Sequence, residues 1–141
     1  MGPRGVATTG LSLTGSLTRA ARAVATRVEQ VLAKEGLTLD QWLVLDALSG
    51  NGGLAMADLA DRTLTTGPTL TRVVDKLVTT AQAYREVDAA DRRRVLVHLS
   101  ARGRATHRRV AVKVSEVEAD LGVPDEVLGA LRRLGARTGS P

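Results

Sequence analysis

The chain has 141 residues, no cysteine, and a net charge of +5 from 20 Lys and Arg against 15 Asp and Glu. That length suits one domain, or one domain with an oligomerisation arm, and 43% apolar residues suffice for a buried core. The absence of cysteine excludes a disulfide framework, a thiolate zinc site and thiol-based redox sensing, and no run approaches the roughly 20 apolar residues that cross a bilayer.

The charge is concentrated. Between Arg85 and Arg109 eight arginines stand against Glu86, Asp88 and Asp91, a local excess equal to that of the whole chain. With an isoelectric point near 10.7, this points to a polyanionic partner, nucleic acid or an anionic membrane. There is no Phe, and Trp42 and Tyr84 are the only aromatic residues, so Leu, Val and Ala must fill the core, which favours closely packed helices. His98 and His107 lie far from any acidic cluster with ligand spacing, so no metal site is expected. Arg4 is not followed by an apolar segment; no signal peptide is expected, and a cytoplasmic protein is.

Residues 1–10 are rich in Gly, Thr and Pro and predict a flexible tail. From Leu11 onward Leu17, Ala20, Ala21, Val24, Val28, Val31 and Leu32 recur at threes and fours, the helical period. Gly36 should stop that helix near Lys34 and Glu35. Thr38, with Gln41 three residues later, has the capping-box spacing and opens a second helix with Trp42, Leu45 and Leu48 inward. Gly50-Asn51-Gly52-Gly53 ends it, and Leu54-Ala55-Met56 suits a short strand.

Met56–Arg62 predicts a brief helix with Leu59 and Ala60 inward, capped poorly at Ala55. After a turn over Thr63–Thr66, a further helix is capped by Thr65 or Thr66 and tolerates Pro68 in its first turn. Its Leu70, Val73, Val74, Leu77 and Val78 form one apolar stripe, while Thr69, Arg72 and Lys76 lie elsewhere and Thr71, Asp75 and Thr79 complete the polar surface. Two helices joined by a short turn, the second basic outward, make a helix-turn-helix.

A β-hairpin should follow, with strands over Ala83–Val87 and Val95–Leu99 around an Asp88–Arg94 tip. Arg92, Arg93 and Arg94 in a row would repel one another there, and DNA phosphates would give them a purpose. Ser100 caps a last long helix with Ala105, Val110, Val114 and Val117 inward. Beyond Gly122 and Pro124 a short helix carries Val127, Leu128, Leu131 and Leu134. The first helix and the last two leave much aliphatic surface for so small a head, which suggests a dimerisation layer.

Several stretches together resemble the MarR family of bacterial winged-helix transcriptional regulators, from about Leu37 to Gly103. They are Leu37-Thr38-Leu39-Asp40-Gln41-Trp42, Leu59-Ala60, Pro68 through Leu77, and above all Asp88-Ala89-Ala90-Asp91-Arg92-Arg93 followed by Val95 through Ser100. The last is similar to the family's wing signature, Asp-x-Arg ahead of a strand ending in Leu-Ser/Thr. The resemblance implies a mainly α fold with a small β-hairpin wing. It further implies a homodimer whose recognition helices enter successive major grooves of a pseudo-palindromic operator. Arg93 would reach the flanking minor groove, oriented by a salt bridge from Asp91. Many members are released from DNA by small phenolic or anionic molecules bound between the dimer layer and the DNA-reading lobe; the residues of that site do not transfer by motif. One departure stands out. Where relatives have Gly or Asn, then Leu and a β-branched residue, this chain has Ala81-Gln82-Ala83, which predicts an extended recognition helix or a looser wing base.

The expectation is a winged helix-turn-helix DNA-binding domain over residues 37–99, with helices in 11–36 and 100–141 forming the dimerisation region. It would act as a dimeric, sequence-specific transcriptional regulator, a repressor open to a small-molecule effector. DNA would be met by Thr65, Thr66, Pro68, Thr69, Thr71, Arg72 and Lys76, and by Arg92, Arg93 and Arg94 of the wing. The alternative is weakly specific or architectural DNA binding without ligand response. Catalysis is not expected, since no Ser/His/Asp set, Glu-x-x-His spacing or phosphate-cradling glycine loop occurs; nor is a cofactor.

Overall fold

A computed structural model of the chain describes residues 12–138; the predicted tail over residues 1–10 lies outside them. Helix α1 spans Leu13–Lys34, with the Ser12 hydroxyl accepting from Gly15 N at its start. It ends as predicted: Gly36 takes φ +73°, and the Gly36 and Leu37 amides donate back to Ala33 O and Leu32 O. Helix α2, Leu39–Ser49, opens on a complete capping box. The Thr38 hydroxyl accepts from Gln41 N at 3.1 Å, and the Gln41 side chain accepts from Thr38 N at 2.9 Å.

Then come strand β1 (Leu54–Ala55), helices α3 (Met56–Thr63) and α4 (Gly67–Thr79), strands β2 (Ala83–Val87) and β3 (Val95–Leu99), and helices α5 (Ala101–Asp120) and α6 (Asp125–Thr138). The sheet is antiparallel with order β1-β3-β2. β1 therefore anchors the hairpin to the head through Leu54 opposite Val97.

The core is aliphatic, as a chain without Phe requires. Leu32, Leu45, Leu59, Leu70, Leu77 and Val110 are almost completely buried, with Val44, Val74 and Val97 between them. Helix α2 lies at the centre and touches α1, α3, α4, α5 and β3. Its Trp42 stacks on His107 of α5, ring centroids 5.1 Å apart and planes within 7°.

On α5 Val110, Val114 and Val117 face inward as expected, and only Ala105 departs from the expected face. Gly103, Thr106, Val110 and Val114 are buried and Ala105 is exposed. At the first turn the inward position falls on Gly103, where a Cβ would stand 2.0 Å from the Gln82 carbonyl oxygen. Only the hydrogen of glycine fits that contact, and Thr106 follows one turn later on the same side.

Helix α6 keeps apolar surface in the open: Val127, Leu128 and Leu131 are 44%, 37% and 43% exposed. Among the described residues no helix is long and apolar enough to cross a membrane.

Candidate nucleic-acid interface

Helices α3 and α4 form the predicted helix-turn-helix. Leu64 ends α3 in the left-handed region at φ +51°, and the Thr65 amide closes the turn on Ala60 O at 3.2 Å. Leu70, Val73, Val74 and Leu77 face inward along α4. Thr66, Pro68, Thr71, Arg72 and Lys76 are exposed, and Thr65 and Thr69 half-buried.

Thr66 is the N-cap residue of α4 by backbone, but its side chain makes no capping bond. Its hydroxyl donates instead to Thr69 Oγ1 at 3.1 Å, and Arg72 Nη2 donates to the same oxygen at 3.3 Å. One short polar chain thus lies across the first two turns. The opening amides of α4 lack a side-chain partner, and that end carries the positive pole of the helix dipole.

The hairpin pairs from Ala83 opposite Leu99 to Val87 opposite Val95. Its tip is ordered by carboxylates. Asp88 Oδ1 accepts from Ala90 N, while Asp91 Oδ1 accepts from both Arg93 N at 3.1 Å and Arg93 Nε at 3.2 Å. These bonds, first the one from the Arg93 side chain, hold the Asp91 carboxyl below the usual carboxylate range.

The three arginines diverge. Arg93 has a side chain 91% exposed although tethered at its base, and Arg92 is also exposed. Arg94 turns back toward Asp58 of α3, 3.6 Å away. Along the hairpin strands His98 stacks on Tyr84 and lies 3.4 Å from Glu86.

The joint between α4 and β2 differs from expectation. The recognition helix does not run on: it stops at Thr79 with Thr80 as C-cap, and Ala81 itself takes the left-handed conformation at φ +64°. The Ala81 and Gln82 amides donate to Val78 O and Leu77 O, the double bond pattern of a glycine-terminated helix. Nor is the wing base loose, because α5 grips it. Ser100 Oγ donates to Ala81 O at 2.7 Å, and Ser100 N donates to Gln82 O at 3.1 Å. Alanine tolerates the strained conformation because its own carbonyl and that of Gln82 are held from outside the turn by Ser100.

Two features were not foreseen from sequence. Arg85 of β2 forms an ion pair with Asp75 of α4. No local signal identifies it, since surface carboxylates and arginines abound and the partners meet only once the hairpin folds back. The second is the lining of an apolar groove of about 460 Å³ between the head and the terminal helices: Leu17, Val24, Leu39, Trp42, Glu118 and Leu131 among others. Among the described residues no group of three or more His, Asp or Glu stands ready for a metal ion.

A helix-turn-helix backed by a three-stranded sheet with an arginine-tipped wing defines a winged-helix protein of the DNA-binding class. Residues 35–94 match the MarR family model, so the winged-helix region of this chain is similar to that of MarR-family transcriptional regulators. The chain is 28% identical over 123 residues to the HTH-type transcriptional regulator FarR of Neisseria gonorrhoeae, covering 87% of this chain and 82% of FarR. Among solved structures it is similar to NadR in complex with 4-hydroxyphenylacetate, with a TM-score of 0.82 at 24% identity over 97% of this chain and 99% of that one. A MepR–DNA complex from S. aureus matches with a TM-score of 0.74 at 22% identity, over 92% of this chain and 97% of that one.

Proposed function

We propose that the chain works in the cytoplasm as a homodimeric repressor that reads a pseudo-palindromic operator. The recognition helix α4 would enter the major groove and the wing the adjacent minor groove. The observation that carries this reading is the pairing of an exposed Thr/Arg/Lys face on α4 with an Asp91-tethered Arg93, both on one closely braced unit. Thr65, Thr66, Pro68, Thr69, Thr71 and Lys76 surround Arg72 and supply backbone contacts, with the opening amides of α4 suited to a phosphate. Arg72 reads a base, since a guanidinium makes a bidentate contact with guanine. Arg93 enters the minor groove, while Arg92 and Arg94 meet phosphates. No catalytic step is assigned to any residue. The DNA-binding unit is residues 37–99, and the flanks 11–36 and 100–141 hold the two copies together.

Arg72→Ala tests the base contact. It should cost about 1–3 kcal/mol of operator affinity and relax discrimination at one base position. Uniform weakening on every DNA sequence, with discrimination intact, would place Arg72 on a phosphate instead.

The groove beside Trp42 also supports an effector of aromatic, amphiphilic character, as the NadR complex holds 4-hydroxyphenylacetate. Adding that compound to the preformed protein–DNA complex should release the DNA and quench Trp42 fluorescence. DNA binding unaltered by any such aromatic acid would favour a regulator without ligand response.

A further inference from the structure

The centre of the outward face of α4 is not occupied by cations alone. Pro68, Arg72, Asp75 and Thr79, spaced four, three and four apart, line the side opposite buried Leu70, Val74 and Leu77. Asp75 thus places a carboxylate, its side chain 56% exposed, beside Arg72 on the surface read above as meeting DNA. A carboxylate there opposes binding to any polyanion, so a merely decorative Asp75 would weaken the protein's function.

Asp75 has a partner on another element. Arg85 shares a face of β2 with buried Ala83 and turns toward α4, where Nη2 donates to Asp75 Oδ1. This pair spans the joint between α4 and β2 and adds a side-chain tie to the backbone bonds that close it. Ala81 sits in a conformation that L-residues resist, and Gln82 Oε1 is buried without a hydrogen-bond partner in the protein.

We propose that Asp75 is a positioning residue for DNA recognition: acting through Arg85, it braces the wing at a set angle to the recognition helix, so that Arg72 and Arg93 reach their two grooves in register. The proposal rests on the DNA-reading function above and adds a residue that touches neither base nor phosphate.

The test uses the full chain and two duplexes, one enriched from a random-sequence pool by the wild-type protein and one of shuffled sequence. Asp75→Asn preserves shape and removes the charge, and circular-dichroism melts confirm that the variant is folded. Positioning predicts that the shuffled duplex binds more tightly and the enriched one more weakly, with their affinity ratio falling about tenfold. Hydroxyl-radical protection of the minor groove flanking the enriched site should fade in the same variant. The charge-exchanged double variant, Asp75→Arg with Arg85→Asp, should recover that protection and much of the ratio. If Asp75→Asn tightens both duplexes alike and leaves the footprint unchanged, Asp75 is a passive surface charge and the proposal fails. A double variant no better than Arg85→Asp alone overturns it as well. A wild-type chain that enriches no sequence would remove the DNA-reading function itself, a result visible before any variant is made.

Discussion

Ala81 shows how a single residue can hold a conformation against its own preference. A left-handed backbone costs an L-residue with a Cβ about 1 kcal/mol, yet Ala81 keeps φ +64° where the recognition helix ends. Its amide and that of Gln82 close the helix, and Ser100 Oγ binds its carbonyl from α5. The surrounding bonds over-determine the turn, and the strain is tolerated rather than relieved. Ala81→Gly should therefore raise stability, by about 0.5 kcal/mol once the greater freedom of glycine in the unfolded chain is subtracted. Urea unfolding measures it; a lower midpoint would show that the helix end adopts another conformation in solution. At the wing tip Asp91 acts in the same local manner, taking bonds from the Arg93 amide and Nε while the Arg93 side chain stays 91% exposed.

Between elements, the contacts that matter are ionic clamps at the edges of an aliphatic core. Glu35, at the end of α1, accepts from Arg109 Nε at 3.0 Å and Lys113 Nζ at 2.6 Å on α5. The Lys113 bond first, then that from Arg109, holds the Glu35 carboxyl below its ordinary range. A carboxyl with a depressed folded-state pKa contributes stability that is complete above its unfolded value and lost as pH falls through the folded one. Thermal melts between about pH 5 and pH 3 should show wild type losing stability faster than Glu35→Gln, which has no charge to lose. Parallel curves would mean that the clamp does not bind α1 to α5 in solution. The Asp58–Arg94 and Asp75–Arg85 pairs do for the wing what Glu35 does for α1, each joining a helix of the head to the hairpin.

At the scale of the molecule, one copy leaves its apolar surface incompletely covered. Val127, Leu128 and Leu131 of α6 stand exposed, as does Leu13 at the start of α1, and Leu131 borders the groove that reaches Trp42. Burial of such side chains against a second copy stabilises by about 25 cal/mol per Å² of apolar area, which supports a dimer built from the terminal helices. Charging the stripe, with Leu128→Asp and Leu131→Asp together, should yield a monomer by light scattering. Operator affinity should fall at least about tenfold, because the second half-site is no longer tethered to the first. A variant that remains dimeric would move the interface elsewhere.

What the sequence determined by itself lies within a few residues of each decision. The Gly36 stop, the Thr38–Gln41 capping box, the Ser100 cap, the Asp91–Arg93 turn and the two wing strands rest on bonds between near neighbours or on a period of two. The Pro68–Leu77 and Asp88–Ser100 motifs pointed to the winged-helix family for the same reason, being contiguous. Tertiary structure alone decided what joins distant parts of the chain. The Asp75–Arg85 brace spans 10 residues, the His107–Asp46 contact behind Trp42 spans 61, and the Lys113–Glu35 clamp spans 78. It also set the start of α5 against the Gln82 carbonyl, through a backbone approach at Gly103 that no helical periodicity encodes. Ala81 joins both parts of the account: its sequence argued for a lengthened helix or a looser wing base, and the grip of α5 on the following turn outweighed that preference.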